Sequence, residues 1–437
     1  MDKLVIQGGR PLEGTLPVSG SKNTALPLMA GALLAPGITT IENVPNLRDI
    51  LTFANILRIA GAHVDYDPAA HHLTIDALRI SHPEAPYELV KKMRASFYML
   101  GALLGRAGRA RVSLPGGCAW GPRPVDLHLE GLKTFGAEID LEEGYVVARA
   151  PGGRLAGGRF RLEPSSVGAT VNLLLGAVRA RGSSRIENAA MEPDVVVFGQ
   201  ALQRMGARIE GLGTPTIEVE GVDQLYPIPF RNCPDRIELG TFMIAAAIAG
   251  RPGSPVRLTH ADPEHLGEAF LDAFRQTGCR VDVGDDVLTV TAPETLRPVS
   301  VETAPYPGFP TDLQAQWTVL LARAPGEGFV TDTIYTDRFK HIPELQRMGL
   351  RATISGNRVS IRGGQRLQGT KVMSSDLRAS VSLVLAGLIA EGETHVLRVY
   401  HLDRGYENLE GKLAAAGIAI RREAYDEFAA PSVPEDE

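Results

Sequence analysis

The chain contains one structural pattern repeated six times, and this repeat constrains its fold more than any other feature. In each copy a short helical pattern ends at a glycine and a strand pattern follows, as in "ILRIAGAHVD" and "ELQRMGLRAT". Glycine is favoured at this point because helices commonly end on a left-handed residue. The marker glycines are separated by 68 to 75 residues and are Gly61, Gly136, Gly206, Gly278, Gly349 and Gly417.

A second alignment of the chain with itself gives the same repeat length. Residues 5–23, "VIQGGRPLEGTLPVSGSKN", match residues 360–378, "SIRGGQRLQGTKVMSSDLR", without a gap at an offset of 355, which is five times 71. Each copy has the order α-β-α-β-β, with a strand shared between neighbouring copies. The pattern predicts an α/β fold in which mixed sheets are covered by helices.

The length of the chain predicts two domains of three copies each, because 437 residues exceed what one ordinary core accommodates. The sixth copy lacks its second hairpin strand, and the N-terminal "KLVIQGG" resembles that strand. We therefore expect a first domain at 22–232 and a second at 1–21 plus 233–424, with crossings near 20–22 and 230–235. The acidic, proline-bearing segment 425–437 is predicted to be a frayed tail.

Composition excludes several classes of protein. The net charge of −6 argues against a general nucleic-acid or anionic-membrane surface, although a local basic pocket remains compatible with it. Three cysteines without a C-x-x-C pair predict neither a disulfide framework nor a zinc site. No apolar run reaches the ~18 residues of a membrane span, and the N-terminus lacks a signal-peptide pattern. We expect a cytoplasmic protein without a metal or cofactor.

Cations stand at the predicted starts of several first helices. Helix N-termini repel cations and attract anions, so Lys22, Arg94 and Arg378 are unexpected there unless an anion binds beside them. Ordinary capping by Ser, Thr and Asp is the alternative, and it explains Ser19 and Thr311. The sequence therefore predicts anion binding where these helix starts converge.

The turns before the second helices carry a similar excess of positive charge. Arg123, Arg338 and Arg404 lie in three of these turns, and arginines at repeated positions favour a polyanionic ligand. One of these turns, "SLPGGCAWGPRPVDLH", places Cys118 among turn-forming residues, where a buried hydrophobic role is unfavourable.

Ten motifs together resemble the UDP-N-acetylglucosamine 1-carboxyvinyltransferase family of enolpyruvyl transferases. They are "SGSKNTALP", "KKMRASFYMLG", "SLPGGCAWGPRPVDLH", "SVGAT", "ENAAMEP", "PDRIELGTF", "FPTDLQAQ", "TDRFKHIPEL", "SSDLRAS" and "HLDRGYE", and the resemblance covers nearly the whole chain. It implies two inside-out α/β barrels facing each other across a cleft. It also implies transfer of the enolpyruvyl group of phosphoenolpyruvate to the 3′-hydroxyl of UDP-N-acetylglucosamine, the first committed step of peptidoglycan synthesis, with release of phosphate.

The resemblance also implies roles for individual residues. Cys118 would act as general acid from a glycine-rich loop, 113–124, and could form the adduct 2-(S-cysteinyl)pyruvic acid O-phosphothioketal with phosphoenolpyruvate or react with fosfomycin. Lys22, Arg123 and Arg404 would hold the phosphate and carboxylate of phosphoenolpyruvate. Asp312 would accept the proton of the sugar hydroxyl.

The remaining substrate-binding positions follow from the same motifs. Asn23 would bind the sugar, the backbone of Ser166, Val167 and Gly168 would bind the diphosphate, and arginines would line the site. The arginines are Arg94, Arg338 and Arg378, Asp126 and His128 would lie on the uridine side, and the other substrate-binding positions are Pro124, Val125, Leu127 and Ile334.

Alternatives remain at this point. Shikimate 3-phosphate could be the acceptor, although relatives using it lack the "LPGGC" loop, or the chain could be a non-catalytic UDP-sugar-binding paralogue. Pro164 and Trp120 depart from the family pattern, at a diphosphate contact and in the cysteine loop. Cys279 is predicted to lie in the core, the role of Cys233 is undecided, and His128 could instead lie on a solvated helix face.

Overall fold

The structure, a computed structural model, describes residues 1–115 and 125–426. Within these ranges the strands are β1 Asp2–Gln7, β2 Thr15–Pro17, β3 Ile38–Glu42, β4 His63–Asp67, β5 His72–Asp76, β6 Glu84–Ala85, β7 Arg109–Ser113, β8 Glu138–Glu142, β9 Tyr145–Arg149, β10 Gly158–Arg161, β11 Ser183–Glu187, β12 Arg208–Glu210, β13 Thr216–Glu220, β14 Phe230–Arg231, β15 Pro255–Thr259, β16 Arg280–Gly284, β17 Val287–Thr291, β18 Val301–Glu302, β19 Gly326–Thr331, β20 Arg351–Ser355, β21 Arg358–Gly363, β22 Lys371–Met373, β23 Glu393–Leu397 and β24 Ala419–Ala424.

The same ranges contain helices of two kinds. The α-helices are α1 Lys22–Ala32, α2 Arg48–Ala60, α3 Tyr87–Val90, α4 Tyr98–Ala107, α5 Asp126–Thr134, α6 Val167–Ala177, α7 Pro193–Arg204, α8 Arg236–Ala249, α9 Glu268–Gln276, α10 Gln314–Arg323, α11 His341–Arg347, α12 Leu377–Ile389 and α13 Leu409–Ala415. The 3₁₀ helices are Arg94–Phe97, Pro151–Gly153, Pro263–Leu266, Thr311–Leu313 and Val399–Arg404.

The described strands form six sheets of the same design. Each has four strands in which a short edge strand runs parallel to the next strand and two antiparallel strands complete the sheet, as in β18-β19-β21-β20. This is the sheet that the α-β-α-β-β repeat predicts, so the sequence expectation is confirmed. In the sixth sheet, β22-β23-β1-β24, the N-terminal strand β1 occupies the position that β21 has in the fifth.

A recurrent backbone conformation marks the repeat in three dimensions. Asn43, Asn188, His260 and Arg398 each follow the strand that precedes a second helix, and each has a φ between 52° and 58°. Residues other than glycine seldom adopt this left-handed region, so its recurrence at one repeat position reflects a shared turn geometry. Two of these turns have asparagine at this position, and the other two have His260 and Arg398.

The helices lie inside and the sheets lie outside. α1, α4 and α6 pack together in one group and α8, α10 and α12 in another, and nearly all residues of these six helices are buried. Strands such as β21 alternate between buried and exposed residues, as expected when one face of a sheet contacts helices and the other contacts water. The chain thus forms two inside-out α/β barrels.

Two separate hydrophobic cores correspond to these barrels. One contains buried residues between 25 and 230, and the other contains buried residues from 4–18 and from 237–418. These cores support the division that we propose for the chain, a first domain at 22–232 and a second domain at 1–21 plus 233–424. The segment 427–437 of the predicted acidic tail lies outside the described residues.

The chain passes between the domains through two segments that pair with each other. Strand β2 precedes α1 of the first domain but pairs with β15 of the second, and β14 precedes α8 of the second but pairs with β3 of the first. Between them, the amide of Ser21 donates to Cys233 O at 2.7 Å and the amide of Asp235 donates to Ser19 O at 2.8 Å. The exchange therefore brings the starts of α1 and α8 side by side between the domains.

Candidate active site

One carboxylate joins cations from both domains. Asp49, in the first turn of α2, accepts from Lys22 Nζ at 3.1 Å through Oδ2 and from Arg404 Nε at 3.0 Å through Oδ1. Asp49 is 6% exposed. Burial alone would raise the pKa of Asp49, but the positive charges of Lys22 and Arg404 outweigh burial and lower this pKa. Two predicted phosphoenolpyruvate-binding cations, separated by 382 positions (404 − 22), are therefore brought together.

The sequence interpretation did not include Asp49. A signal for it exists in the repeat, because Asp49 plus the offset of 355 is Arg404, and Arg48 plus 355 is Asp403. The structure places these equivalent residues next to each other as ion pairs. Asp49 of the first repeat pairs with Arg404, whereas Arg48 Nη2 of the same repeat lies 3.7 Å from Asp403 Oδ2. An acid in the first turn of a helix is ordinarily explained by the helix dipole. The sequence alone therefore did not indicate that Asp49 joins Lys22 to Arg404.

A second carboxylate lies between two arginines of its own domain. Asp312 Oδ1 is 2.7 Å from Arg338 Nη2, and Asp312 Oδ2 is 2.9 Å from Arg378 Nη2. Burial would raise the pKa of Asp312, but Arg378 and Arg338 hold this pKa well below its usual range. The carboxylate is therefore ionised at every physiological pH.

The turn that carries Arg338 is organised by a residue that the sequence interpretation missed. Asp332 is fully buried and accepts the backbone amides of Ile334 and Tyr335, each at 2.9 Å. It also accepts hydroxyl hydrogen bonds from Thr303 at 2.8 Å and Thr311 at 2.7 Å. Asp332 thus holds this turn against the segment that precedes Asp312.

Arg94 reaches towards this turn from the first domain. It lies in the 3₁₀ helix Arg94–Phe97, is exposed, and donates from Nη1 to Tyr335 Oη at 3.3 Å. Ile334, one residue before Tyr335, is 37% exposed. The cations and the apolar side chain predicted to line the site therefore meet at one face between the domains.

The start of α6 has the geometry predicted for an anion site. Ser166 caps the helix by accepting the amide of Ala169 at 3.3 Å, and Val167 and Gly168 form its first turn. Pro164 lies just before the cap in a cis peptide bond with Glu163. A first turn of this kind directs backbone N–H groups outwards, where anions bind.

His128 is buried and not solvated. It is 5% exposed, its Nδ1 is 2.9 Å from Asn172 Nδ2, and its ring packs edge-on to Phe97. Burial and then Arg94 lower its pKa to about 3, so the ring is neutral. A Cβ added to Gly168 would lie 3.3 Å from the ring, so His128 supports the start of α6.

Other predicted residues lie around these groups. Val125 is buried, Leu127 and Asn23 are half-buried, and Asp126 is exposed in the first turn of α5. Cys118, Trp120, Arg123 and Pro124 lie outside the described residues.

The two described thiols are poor candidates for chemistry. Burial raises the pKa of Cys233 to about 12 and that of Cys279 to about 11, so both stay protonated at neutral pH. Cys279 is 5% exposed, which confirms the expectation that it belongs to the core. Among residues 1–115 and 125–426, no cluster of three His, Cys, Asp or Glu side chains suited to a metal ion is found. No helix in those residues is both long and apolar enough to cross a bilayer.

Known proteins match this chain over nearly its whole length. The profile of the EPSP synthase (3-phosphoshikimate 1-carboxyvinyltransferase) family matches residues 6–413. The UDP-N-acetylglucosamine 1-carboxyvinyltransferase of Chloroherpeton thalassium is 56% identical over 99% of this chain and 100% of its own, and that of Chlorobaculum parvum is 53% identical over 98% and 100%.

Solved structures support the fold. The enolpyruvyl transferase NikO from Streptomyces tendae superposes with a TM-score of 0.87 at 30% identity, covering 96% of this chain and 98% of its own. EPSP synthase from Acinetobacter baumannii, at 18% identity, gives a TM-score of 0.76 over 97% and 100% of the two chains and shows the same fold. With two barrels, a cation-rich face between them and full-length relatives at these identities, the chain belongs to the UDP-N-acetylglucosamine 1-carboxyvinyltransferase family of enolpyruvyl transferases.

Proposed function

We propose that this protein transfers the enolpyruvyl group of phosphoenolpyruvate to the 3′-hydroxyl of UDP-N-acetylglucosamine and releases phosphate. The observation that carries the proposal is the convergence of Lys22 and Arg404, from different domains, on the single carboxylate of Asp49. An anionic substrate placed between the domains meets both cations together. The names of the full-length relatives supply the identity of the acceptor.

Phosphoenolpyruvate would bind through paired cations. Lys22 presents a compact ammonium group and Arg404 a planar fork, which together suit a phosphate and a carboxylate. Asp49 keeps the two cations close together before the substrate arrives, since it is buried and bonded to both. Arg123 would complete the group from the cysteine loop.

Asp312 would act as the base for the sugar hydroxyl. Its carboxylate is ionised, but two arginines make it a weak base in the absence of substrate. Anionic substrate groups that share Arg338 and Arg378 would weaken their hold on Asp312 and raise its basicity. The carboxylate therefore gains strength as a base when the substrates are in place.

The reaction would proceed by addition and elimination. A proton added to C3 of phosphoenolpyruvate, which we assign to Cys118, makes C2 electrophilic, and the sugar oxygen bonds to C2 as Asp312 takes its proton. Return of a proton from C3 to the Cys118 thiolate and departure of phosphate from C2 then restore the double bond. The raised pKa values of Cys233 and Cys279 support the assignment of the reactive thiol to Cys118.

UDP-N-acetylglucosamine would lie across the first domain. The amides at Ser166, Val167 and Gly168 would bind the diphosphate, with His128 acting only as their support because its ring is buried. Asn23 would bind the sugar. The nucleotide would contact the start of α5, including Val125, Asp126 and Leu127, and Ile334 across the cleft.

The proposed reaction places the protein at the first committed step of peptidoglycan synthesis, with small anionic molecules as its partners. We propose no cofactor, because the addition and elimination as written use only the two substrates and side chains of the protein. We propose a cytoplasmic location, where both substrates are available, and no nucleic-acid or membrane partner.

A phosphate-release assay tests this proposal. The protein should release phosphate from phosphoenolpyruvate in the presence of UDP-N-acetylglucosamine and not with either substrate alone. Release with shikimate 3-phosphate in place of the UDP-sugar would instead support the acceptor for which the matching family profile is named. Absence of release with both acceptors, together with measurable UDP-sugar binding by calorimetry, would identify a non-catalytic binding protein and contradict the proposal.

A further inference from the structure

Asp194 is a buried carboxylate between the domains that has no part in the proposed chemistry. Asp194 lies in the first turn of α7 and is 5% exposed. It follows Asp49 by 145 residues, as the marker glycine Gly206 follows Gly61 (206 − 61 = 145), so Asp49 and Asp194 occupy the same position of the first and third repeats. Both carboxylates pair with an arginine of the second domain.

Asp194 holds the first turn of α1 by two hydroxyl groups. Its Oδ1 accepts from Ser21 Oγ at 2.9 Å and from Thr24 Oγ1 at 2.7 Å. Ser21 is also the residue that caps α1, because its Oγ accepts the amide of Thr24 at 3.2 Å. Lys22 and Asn23 stand between these two anchored residues, so the position of both depends on Asp194.

The other oxygen of Asp194 reaches the second domain. Oδ2 lies 3.1 Å from Arg236 Nε, and the two side chains are only 7% and 12% exposed. Arg236 begins α8, which Asp235 caps through the amides of Ile237 and Glu238. Burial would raise the pKa of Asp194, but Arg236, Thr24 and Ser21 lower it, so the pair is fully charged.

The first turn of α1 is therefore bonded by two carboxylates, Asp49 and Asp194. Asp49 bonds the Lys22 side chain and joins it to Arg404, while Asp194 bonds the residues on either side of Lys22 and Asn23 and joins them to Arg236. Any rotation of one domain against the other would have to break the Asp49–Arg404 and Asp194–Arg236 ion pairs or move the first turn of α1 with them. The contacts of Asp194 are thus made with the two residues that flank the pair Lys22 and Asn23.

We propose that Asp194 is a positioning residue for enolpyruvyl transfer. Through Ser21 and Thr24 it sets the first turn of α1, which carries Lys22 and Asn23, and through Arg236 it sets that turn relative to the second domain. The inference rests on the proposed function for its kinetic consequence, but the positioning of α1 can be measured without turnover.

The kinetic test uses Asp194→Asn, which keeps the size of the side chain and removes its charge. We expect kcat/KM for phosphoenolpyruvate to fall about 10- to 100-fold, chiefly through a higher KM, because small displacements of a binding group cost this much. Arg236→Gln should give a similar loss. The double variant should be little worse than either single one, since both remove the same link.

A matched control comes from another buried pair. Glu238 lies 2.8 Å from Lys412, with side chains 1% and 12% exposed, and does not contact Ser21, Thr24 or Asp194. Glu238→Gln should lower the melting temperature at least as much as Asp194→Asn but leave kcat/KM within about threefold. This control separates positioning from a general loss of stability.

Hydrogen exchange supplies the measurement that does not depend on turnover. In Asp194→Asn the amides of residues 21–25 should exchange at least about tenfold faster than in the unsubstituted protein, while Glu238→Gln leaves them unchanged. If Asp194→Asn does not fold, Arg236→Lys provides the same comparison.

Unchanged exchange at residues 21–25 would overturn the proposal even if the protein proved to have no transferase activity. A kcat/KM within threefold of the unsubstituted value, or losses that multiply in the double variant, would overturn it in an active enzyme.

Discussion

The carboxylates of the two domains are held in different ways. Asp49 and Asp194 belong to the first domain, and each is paired with an arginine of the second, Arg404 or Arg236. Asp312 belongs to the second domain and is paired with two arginines of that same domain. Separation of the domains would therefore remove a partner from each first-domain carboxylate and leave the surroundings of Asp312 intact. The buried carboxylates Asp49 and Asp194 thus depend on the second domain for an arginine partner, whereas Asp312 has both of its arginines within its own domain.

The largest effect should come from loss of Asp312, which we propose as the base. Asp312→Ala should lower kcat about 10²- to 10⁴-fold, the usual contribution of a general base, while UDP-sugar affinity measured by calorimetry is retained. Asp337→Ala, in the neighbouring exposed turn, serves as the control and should leave kcat within about twofold. Near-normal turnover of Asp312→Ala would remove its assigned role.

The first domain should supply the reacting thiol. Cys118→Ser should leave the fold unchanged, as judged by circular dichroism, and greatly reduce turnover because a hydroxyl is a much weaker acid than a thiol. Mass spectrometry should find fosfomycin attached to the unsubstituted protein at Cys118 alone. Labelling at Cys233 or Cys279, whose thiols stay protonated, would place the reactive thiol elsewhere.

A smaller effect is expected where the domains meet at Asp49. Asp49→Asn should raise KM for phosphoenolpyruvate about tenfold with a lesser change in kcat, because Lys22 and Arg404 lose the charge that holds them together. The neighbouring pair offers a control, since Arg48 is 62% exposed and lies 3.7 Å from Asp403. Arg48→Gln should change KM by less than about twofold, as surface ion pairs contribute little. Equal effects of the two substitutions would contradict the distinction between them.

The smallest effect compares two histidines at equivalent positions, since His341 follows His128 by 213 residues, as Gly349 follows Gly136. Both are buried, and burial followed by a nearby arginine lowers each pKa to about 3. Between pH 6.5 and 3 the unfolded chain therefore binds more protons than the native one. The stability that these rings contribute is complete above pH 6.5 and declines as the pH falls, by about 1 kcal/mol per pH unit for each ring.

Urea unfolding at pH 7.5, 6.5 and 5.5 measures this decline. His128→Gln and His341→Gln should each make the free energy of unfolding less dependent on pH, and the exposed His63→Gln should not. An unchanged pH dependence in both buried-site variants would show that protonation of these rings does not lower the free energy of unfolding.

The fold followed from the sequence because its determinants are local and repeated. The marker glycines, the capping residues and the strand alternation recur six times, so each copy supports the prediction made from the others. The absence of a second hairpin strand from the sixth copy, and the resemblance of "KLVIQGG" to such a strand, correctly placed β1 in the sixth sheet.

The site was less accessible to such reasoning because its contacts join distant parts of the chain. Lys22, Arg338, Arg378 and Arg404 stood out as cations at unfavourable or repeated positions. Asp49, Asp194 and Asp332 resembled ordinary acids of helix starts and turns. The arginine partners of Asp49 and Asp194 come from the other domain, so these ion pairs form only when the two domains face each other. His128 could be a solvated residue by sequence, and packing against Asn172 and Phe97 decided otherwise.

The position of β1 has a consequence for how the protein is made. Strand β1 is synthesised before the other described strands, yet its neighbours β23 and β24 are synthesised only after residue 392. The continuous stretch 22–232 can fold on the ribosome while the six residues of β1 still lack the strands with which they pair. The sixth sheet of the second barrel can therefore be completed only after β24 has been synthesised.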